Sequence, residues 1–282
     1  MILIVESGST KTEWRYISGP TQAYESFFSD GINPYYQLAA DITAAQRPTL
    51  EKLSQKSIQY VFYYGTGITD EGKSEIINQV LRPFVGDAQI SVANDLIAAG
   101  ISLCGNESGI ACILGTGANS GYFEEGKLKE QIPPLGFWLG DEGSGANLGK
   151  RLVLTYLHHE LPIDLRELFI KRFGILSRLD IFEHAYQKEF PNRWFASFSK
   201  FLFDHRKHPF CYELIEKAFQ DFCQLYLVKY DSAKTVPVHF TGSVAFYYSD
   251  ILKRVVTNSG LRVGIISEAP MAGLTLFHKK LI

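Results

Sequence analysis

The sequence predicts an α/β protein of two domains that use one chain topology twice, the second time with a helical insertion. Three observations carry this. Short apolar runs of strand length alternate with longer patterns of helical period. The element order of the first hundred residues restarts near Gly109. And 282 residues, 46% hydrophobic and 21% charged, suffice for a full core and for two domains.

Residues 2–5 read as a buried strand, 12–18 as its hairpin partner and 22–28 as a third strand. Gly31-Ile32-Asn33-Pro34 is a turn, and a helix follows to about residue 54. Then come a strand at 58–64, a helix with a polar cap at 70–84, a strand at 88–93 and a short helix at 95–103. The order is β-β-β-α-β-α-β-α. A strand at 109–114 restarts it, followed by a hairpin of 121–123 and 128–131 around Glu125-Gly126. A long aromatic helical region runs from about 143 to 231. Strand 236–240, helix 243–257, strand 261–265 and a final helix at 268–279 complete the second copy. The domains are thus 1–106 and 107–282, with the last helix expected at the domain junction.

With 28 basic and 30 acidic residues the net charge is −2, so there is no global basic field and nucleic acid is not an expected partner. The opening apolar run ends at Glu6, too short for a signal peptide or a membrane span, and the expected location is the cytoplasm without membrane attachment. Cys104, Cys112, Cys211 and Cys223 show no Cys-x-x-Cys pair and no histidine at metal-ligand spacing; buried reduced thiols are expected.

Two Gly-Thr turns, each directly after a strand, carry the chemistry. In Glu6-Ser7-Gly8-Ser9-Thr10-Lys11, Gly8 permits close approach of backbone to an anion, Ser9 and Thr10 offer hydroxyl and amide donors, and Lys11 a positive charge. An acid beside such a turn suits Mg²⁺, which is usually held by one or two carboxylates with phosphate oxygens and waters. In Gly115-Thr116-Gly117-Ala118-Asn119, Gly115 and Gly117 give backbone access, Thr116 a hydroxyl for phosphate and Asn119 a carboxamide for a sugar hydroxyl. Either segment alone would also serve as an ordinary hairpin turn. Asp95, at a strand end, can take a proton from an attacking hydroxyl; it or Asn94 can equally cap the following helix. Asp141 or Ser144 can cap the helix after Gly140-Asp141-Glu142-Gly143-Ser144. Phe240-Thr241-Gly242-Ser243 ends a strand and opens a helix whose amides could bind an anion or ribose, or Ser243 is simply its cap. Trp138 packs either against a sugar face or into the core.

Taken in order, Glu6–Thr12, Asn94-Asp95, Gly115–Ser120, Gly140–Ser144 and Thr241–Ala245 resemble the N-acetylglucosamine kinase and BadF-type (BadF/BadG/BcrA/BcrD) ATPase family of the actin-like ATPase superfamily. The resemblance spans nearly the whole chain. It implies a duplicated ribonuclease H-like fold, two domains around a nucleotide and sugar cleft. By resemblance Asp95 is the catalytic base and also touches the sugar, with Asn33, Thr66, Gly67, Asn119 and Asp141 as further sugar contacts. Gly8, Ser9, Thr10, Lys11, Gly115, Thr116, Gly117, Gly242 and Ser243 would hold ATP, and Glu6, where aspartate is commoner, the Mg²⁺. The implied activity is transfer of the ATP γ-phosphoryl group to a hydroxyl of an amino sugar, foremost N-acetylglucosamine. Alternatives are a BadF-type ATPase without sugar-kinase activity and a catalytically silent sugar-sensing module. Dimers are frequent among such relatives, which leaves a homodimer open.

Overall fold

The structure is a computed structural model that describes residues 1–19 and 24–281. Two compact units divide the chain: Met1–Glu107 with Glu125–Leu128 and Ala269–Ile282, and Ser108–Glu124 with Lys129–Glu268.

The first unit comprises β1 (Ile2–Ser7), β2 (Lys11–Ile17), β3 (Tyr24–Asp30), α1 (Ala39–Leu53), β4 (Tyr60–Gly65), α2 (Glu71–Val85), β5 (Gln89–Asn94) and α3 (Asp95–Leu103). Its sheet runs β3-β2-β1-β4-β5, antiparallel through β3, β2 and β1 and parallel from β1 to β4 and β5. β1 is central, which explains its unbroken apolar run: a strand covered on both faces has no polar side. Its residues divide by the two-residue period of a strand. Leu3 and Val5 join Ile42, Leu50, Leu53, Ile77 and Leu81 of α1 and α2 on one face, whereas Ile2 and Ile4 join Ala98, Met271 and Leu274 on the other.

A second sheet repeats the plan with β6 (Gly109–Leu114), β7 (Ala118–Glu124) and β8 (Lys127–Glu130). The inserted helices follow: α4 (Gly136–Leu139), α5 (Gly145–Leu157), α6 (Ile163–Phe173), α7 (Arg178–Tyr186), α8 (Pro191–Ser197), α9 (Ser199–Asp204) and α10 (Pro209–Leu225). The chain closes with β9 (Pro237–Thr241), α11 (Ser243–Tyr247), α12 (Ser249–Asn258), β10 (Arg262–Ser267) and α13 (Met271–His278). The sheet order is β8-β7-β6-β9-β10, the order of the first sheet with β6 in the place of β1. Glu125 and Gly126, both at positive φ, turn β7 into β8. The aromatic insertion, with Phe169, Phe198, Phe201, Phe219 and Phe222, shares one core with Ile110, Cys112 and Leu114 of β6 and Val238 and Phe240 of β9.

The duplicated α/β fold agrees with the expectation from element order; several boundaries do not. The expected start of the third strand at Gln22 and Ala23 lies outside the described residues. The first helix begins at Ala39 rather than just after Pro34, because the backbone amides of Tyr36 and Gln37 turn back onto the Asn33 carbonyl. The expected helix 243–257 is two helices broken at Tyr248, and Gly242, not Ser243, is the N-cap of the first, so Ser243 is no cap. β7 starts at Ala118, which moves Asn119 from the turn into a strand. α13 packs on β1 and α3 in the first unit. Among the described residues no helix is long and apolar enough to cross a membrane.

Candidate functional site

In the first unit the site residues gather at the carboxyl ends of three parallel strands. Ser7 pairs with Gly65 and Gly65 with Asn94, so Gly8, Thr66 and Asp95 follow the last paired residues of the three strands, and Glu6 lies just inside the end of β1, level with Tyr64 and Ala93. Gly8 to Lys11 form the tight turn between β1 and β2, closed by the Gly8 amide donating to the Lys11 carbonyl at 3.0 Å. The segment of Gly31 to Asn33 lies directly against this turn. The Gly31 amide donates to the Thr10 carbonyl at 3.2 Å, and a Cβ on Gly31 would stand 2.4 Å from the Gly8 carbonyl oxygen. Only glycine allows that approach. The Thr66 amide donates to the Ser7 carbonyl at 3.0 Å, and Gly67, at φ +77°, leaves room for the Asn33 carboxamide. Asn33 Oδ1 accepts the Tyr35 amide at 3.0 Å, so the side chain is held in place within its own turn.

The α3 terminus separates capping from chemistry. Asn94 is the N-cap, its Oδ1 accepting the Ile97 amide at 3.0 Å. Asp95 is the first helical residue, and its carboxyl is held above the ordinary aspartate range, chiefly by burial. Glu6 is pushed up to about 7, first by burial and next by the Asp95 and Glu13 charges, while Lys11 pulls the other way. Two carboxyls at one strand edge with a single nearby lysine are short of positive charge. That donor set fits a hard divalent cation carried mainly by phosphate oxygens. Among the described residues no cluster of three or more His, Cys, Asp or Glu could hold a metal by itself.

The second unit assembles its own loops at the end of β6. The Gly115 to Gly117 turn is closed by the Gly115 amide donating to the Gly117 carbonyl at 3.0 Å. The start of α5 is stitched to it, with the Gly145 amide donating to the Gly115 carbonyl at 2.8 Å and the Ala146 amide to the Thr116 carbonyl at 3.1 Å. Asp141, 8% exposed and at φ +60°, accepts the Ala118 amide at 3.1 Å and lies against Gly117. Ser144, not Asp141, caps α5 by accepting the Asn147 amide. Glu142 accepts the Tyr226 hydroxyl at 3.0 Å. Asn119 Oδ1 accepts both the Ser120 amide and the Gln131 carboxamide, at 2.9 and 3.0 Å. Gly242, at φ +113°, abuts this turn: a Cβ there would lie 2.4 Å from the Leu114 carbonyl oxygen. Ser243 is exposed at the start of the five-residue α11.

Each unit therefore brings together the residues that sequence reasoning assigned to it. Sequence reasoning missed Gly31 and Ser7, which shape the first turn from beneath; an unassigned Gly and a small polar residue flanking a glycine turn were the available signals. Trp138 is not a core residue. It is 49% exposed and stacks parallel on Tyr186, ring centres 5.5 Å apart. All four cysteines are buried and outside any disulfide, and burial pushes the thiols of Cys104 and Cys211 up to about 12.

Solved structures resemble this chain over its whole length. A candidate N-acetylglucosamine kinase from Porphyromonas gingivalis is 40% identical over 99% of both chains, with a TM-score of 0.92. A second such candidate, from Chromobacterium violaceum, is 19% identical over 98% of both chains, TM-score 0.75. A ROK-family glucokinase from Streptomyces griseus, solved with glucose and AMPPNP, shares the fold at 15% identity, over 99% of this chain and 98% of its own, TM-score 0.57. No family model matches the chain, and no curated protein matches it.

Proposed function

Because this chain belongs to the family of the Porphyromonas gingivalis candidate N-acetylglucosamine kinase, on the two-domain actin-like ATPase fold, we propose that it is an ATP-dependent sugar kinase. The reaction is transfer of the γ-phosphoryl group of ATP to a hydroxyl of an amino sugar, with N-acetylglucosamine the leading acceptor. The observation that carries this reading is Asp95. Asn94 does the capping, and the Asp95 carboxyl is left at a strand end with its proton affinity raised by burial.

A carboxyl whose proton affinity is raised by burial is, in its ionised form, a stronger base than an exposed aspartate. Asp95 accepts the proton of the attacking sugar hydroxyl. Asn33, Thr66 and Gly67 of the same unit orient the sugar. The amides and hydroxyls of Gly8, Ser9 and Thr10, with the Lys11 charge, hold phosphate oxygens. Gly115, Thr116, Gly117, Gly242 and Ser243 are the second unit's nucleotide contacts, and Asn119 and Asp141 its sugar contacts. Glu6 is the carboxylate for Mg²⁺, which when bound with ATP supplies charge neutralisation at the phosphates. Phosphoryl transfer is mostly positioning and charge stabilisation, which suits a site built from backbone turns and few ionisable groups. The wider kinship with BadF-type ATPases rests on the five ordered motifs, and a cytoplasmic location on the lack of any spanning helix among the described residues.

The test is an ADP-release screen over a panel of amino sugars. Sugar-dependent turnover is expected, strongest with N-acetylglucosamine, and lost in Asp95→Asn. ADP release independent of every sugar would sink the kinase reading in favour of a plain ATPase.

A further inference from the structure

Ser7 has no role in the reaction as described, yet it is fully buried at the point where the turn of Gly8 to Lys11 meets the segment of Gly31 to Asn33. Its Oγ accepts the Ile32 amide at 2.9 Å and lies 2.7 Å from Thr12 Oγ1. Thr12 Oγ1 donates in turn to the Asp30 carbonyl at 2.9 Å. A hydroxyl has one hydrogen to give. With the Thr12 hydrogen on Asp30, the Ser7 hydroxyl has two acceptors within reach, Thr12 Oγ1 at 2.7 Å and the Ile32 carbonyl at 3.3 Å, and the shorter contact makes it the donor to Thr12. Along the shortest contacts the hydrogen bonds run in one direction, from the Ile32 amide through Ser7 Oγ and Thr12 Oγ1 to the Asp30 carbonyl. Such chains polarise one another. The Ser7 carbonyl, meanwhile, accepts the Thr66 amide. One residue thus touches the strand ends on both sides of the phosphate turn and both loops assigned to the sugar.

We infer that Ser7 is a positioning residue that couples the two substrates. Through the Ser7 and Thr12 hydroxyls, ordering of Ile32 and Asn33 by the sugar orders the turn at Gly8 to Lys11, and nucleotide binding at that turn orders the sugar loop. The inference rests on the sugar-kinase reading for the identity of the ligands, but the relay lies wholly inside the first unit. Coupling of this kind is reciprocal: the factor by which sugar tightens nucleotide equals the factor by which nucleotide tightens sugar.

The experiment measures AMPPNP·Mg²⁺ affinity by calorimetry with and without saturating sugar, in the wild type, Ser7→Ala, Thr12→Val and Thr12→Ser. The wild type is expected to show tightening of about 5-fold or more, the lower end of ordinary coupling. Ser7→Ala and Thr12→Val bring the factor to about one, and Thr12→Ser, which keeps the hydroxyl, restores it. A purely structural loss would weaken both ligands without changing their ratio. Should Ser7→Ala fail to fold, the Thr12 pair decides. Wild-type coupling in folded Ser7→Ala or in Thr12→Val overturns the inference, as does absence of coupling in a wild type that turns over sugar. If no sugar supports turnover, the kinase reading falls by itself, and hydrogen exchange then tests the relay. AMPPNP·Mg²⁺ should protect the Ile32 and Asn33 amides in the wild type and not in Thr12→Val; equal protection in both overturns it.

Discussion

Asn94 and Asp95 are adjacent but do different work: the Asn94 carboxamide accepts the Ile97 amide at 3.0 Å as the N-cap of α3, and the buried Asp95 carboxyl, one residue on, bonds to the amides of Asp95 and Leu96 at the helix start. Fold and chemistry can therefore be mutated apart. Asp95→Asn should lower kcat by about 10²–10⁴, the usual worth of a general base, without lowering the melting temperature, since it removes a carboxyl whose charged form burial disfavours. Asn94→Ala should do the reverse in kind, costing about 1 kcal/mol in denaturant unfolding. Undiminished turnover in Asp95→Asn removes it as the base.

Glu6 makes the first unit pH-sensitive near neutrality. Its carboxyl titrates at about 7 when folded and near 4.5 when unfolded. Between these values the folded chain keeps a proton that the unfolded chain has lost, so stability falls as pH rises from about 4.5 to 7 and is level above that. The shift corresponds to roughly 3 kcal/mol at most. Asp95, raised as well, acts in the same direction. Without Mg²⁺, the stability of Glu6→Gln relative to wild type should grow across this window, read from urea midpoints. A difference that does not change with pH would show that Glu6 titrates normally.

Two glycines in the turns should respond oppositely to a methyl group. At Gly31 it would meet the Gly8 and Ser9 backbone at 2.4 to 2.8 Å, whereas at Gly115 it meets nothing within 4 Å. Gly31→Ala should cost about 1–3 kcal/mol and weaken nucleotide binding by displacing the turn. Gly115→Ala should leave stability within about 0.5 kcal/mol. Any rise in the KM for ATP in Gly115→Ala then reports a phosphate approaching that backbone, and an unchanged KM places the phosphates elsewhere.

Asp141 holds the turn of Gly115 to Ala118 while sitting at positive φ, a conformation asparagine tolerates well. Asp141→Asn keeps an acceptor for the Ala118 amide, so stability should change little while the KM for sugar rises. Asp141→Ala leaves that amide without its partner and should cost about 1–3 kcal/mol in thermal or urea unfolding. Equal sugar KM values in the wild type and Asp141→Asn would limit Asp141 to holding the turn.

The duplicated topology and the positions of both Gly-Thr turns were legible in the chain, because strand-length apolar runs and glycine punctuation are local signals. So were Asp95 and Gly117 as residues at strand ends. Not legible were the assignment of the cap to Asn94 over Asp95, the break at Tyr248, and the exposed stack of Trp138 on Tyr186. Each depends on which of several compatible local conformations the surrounding packing selects.

The sequence by itself determined the element order and the residue types at each strand end, since these follow from hydrophobic period and from what glycine, asparagine and aspartate permit. Only the tertiary structure decided that Gly31 must be bare, that Ser7 bridges two turns, and that Glu6 and Asp95 share one edge. Those are contacts between segments 22 to 89 residues apart, and no local propensity encodes distances that the antiparallel pairing of β1, β2 and β3 and the parallel pairing of β1, β4 and β5 create.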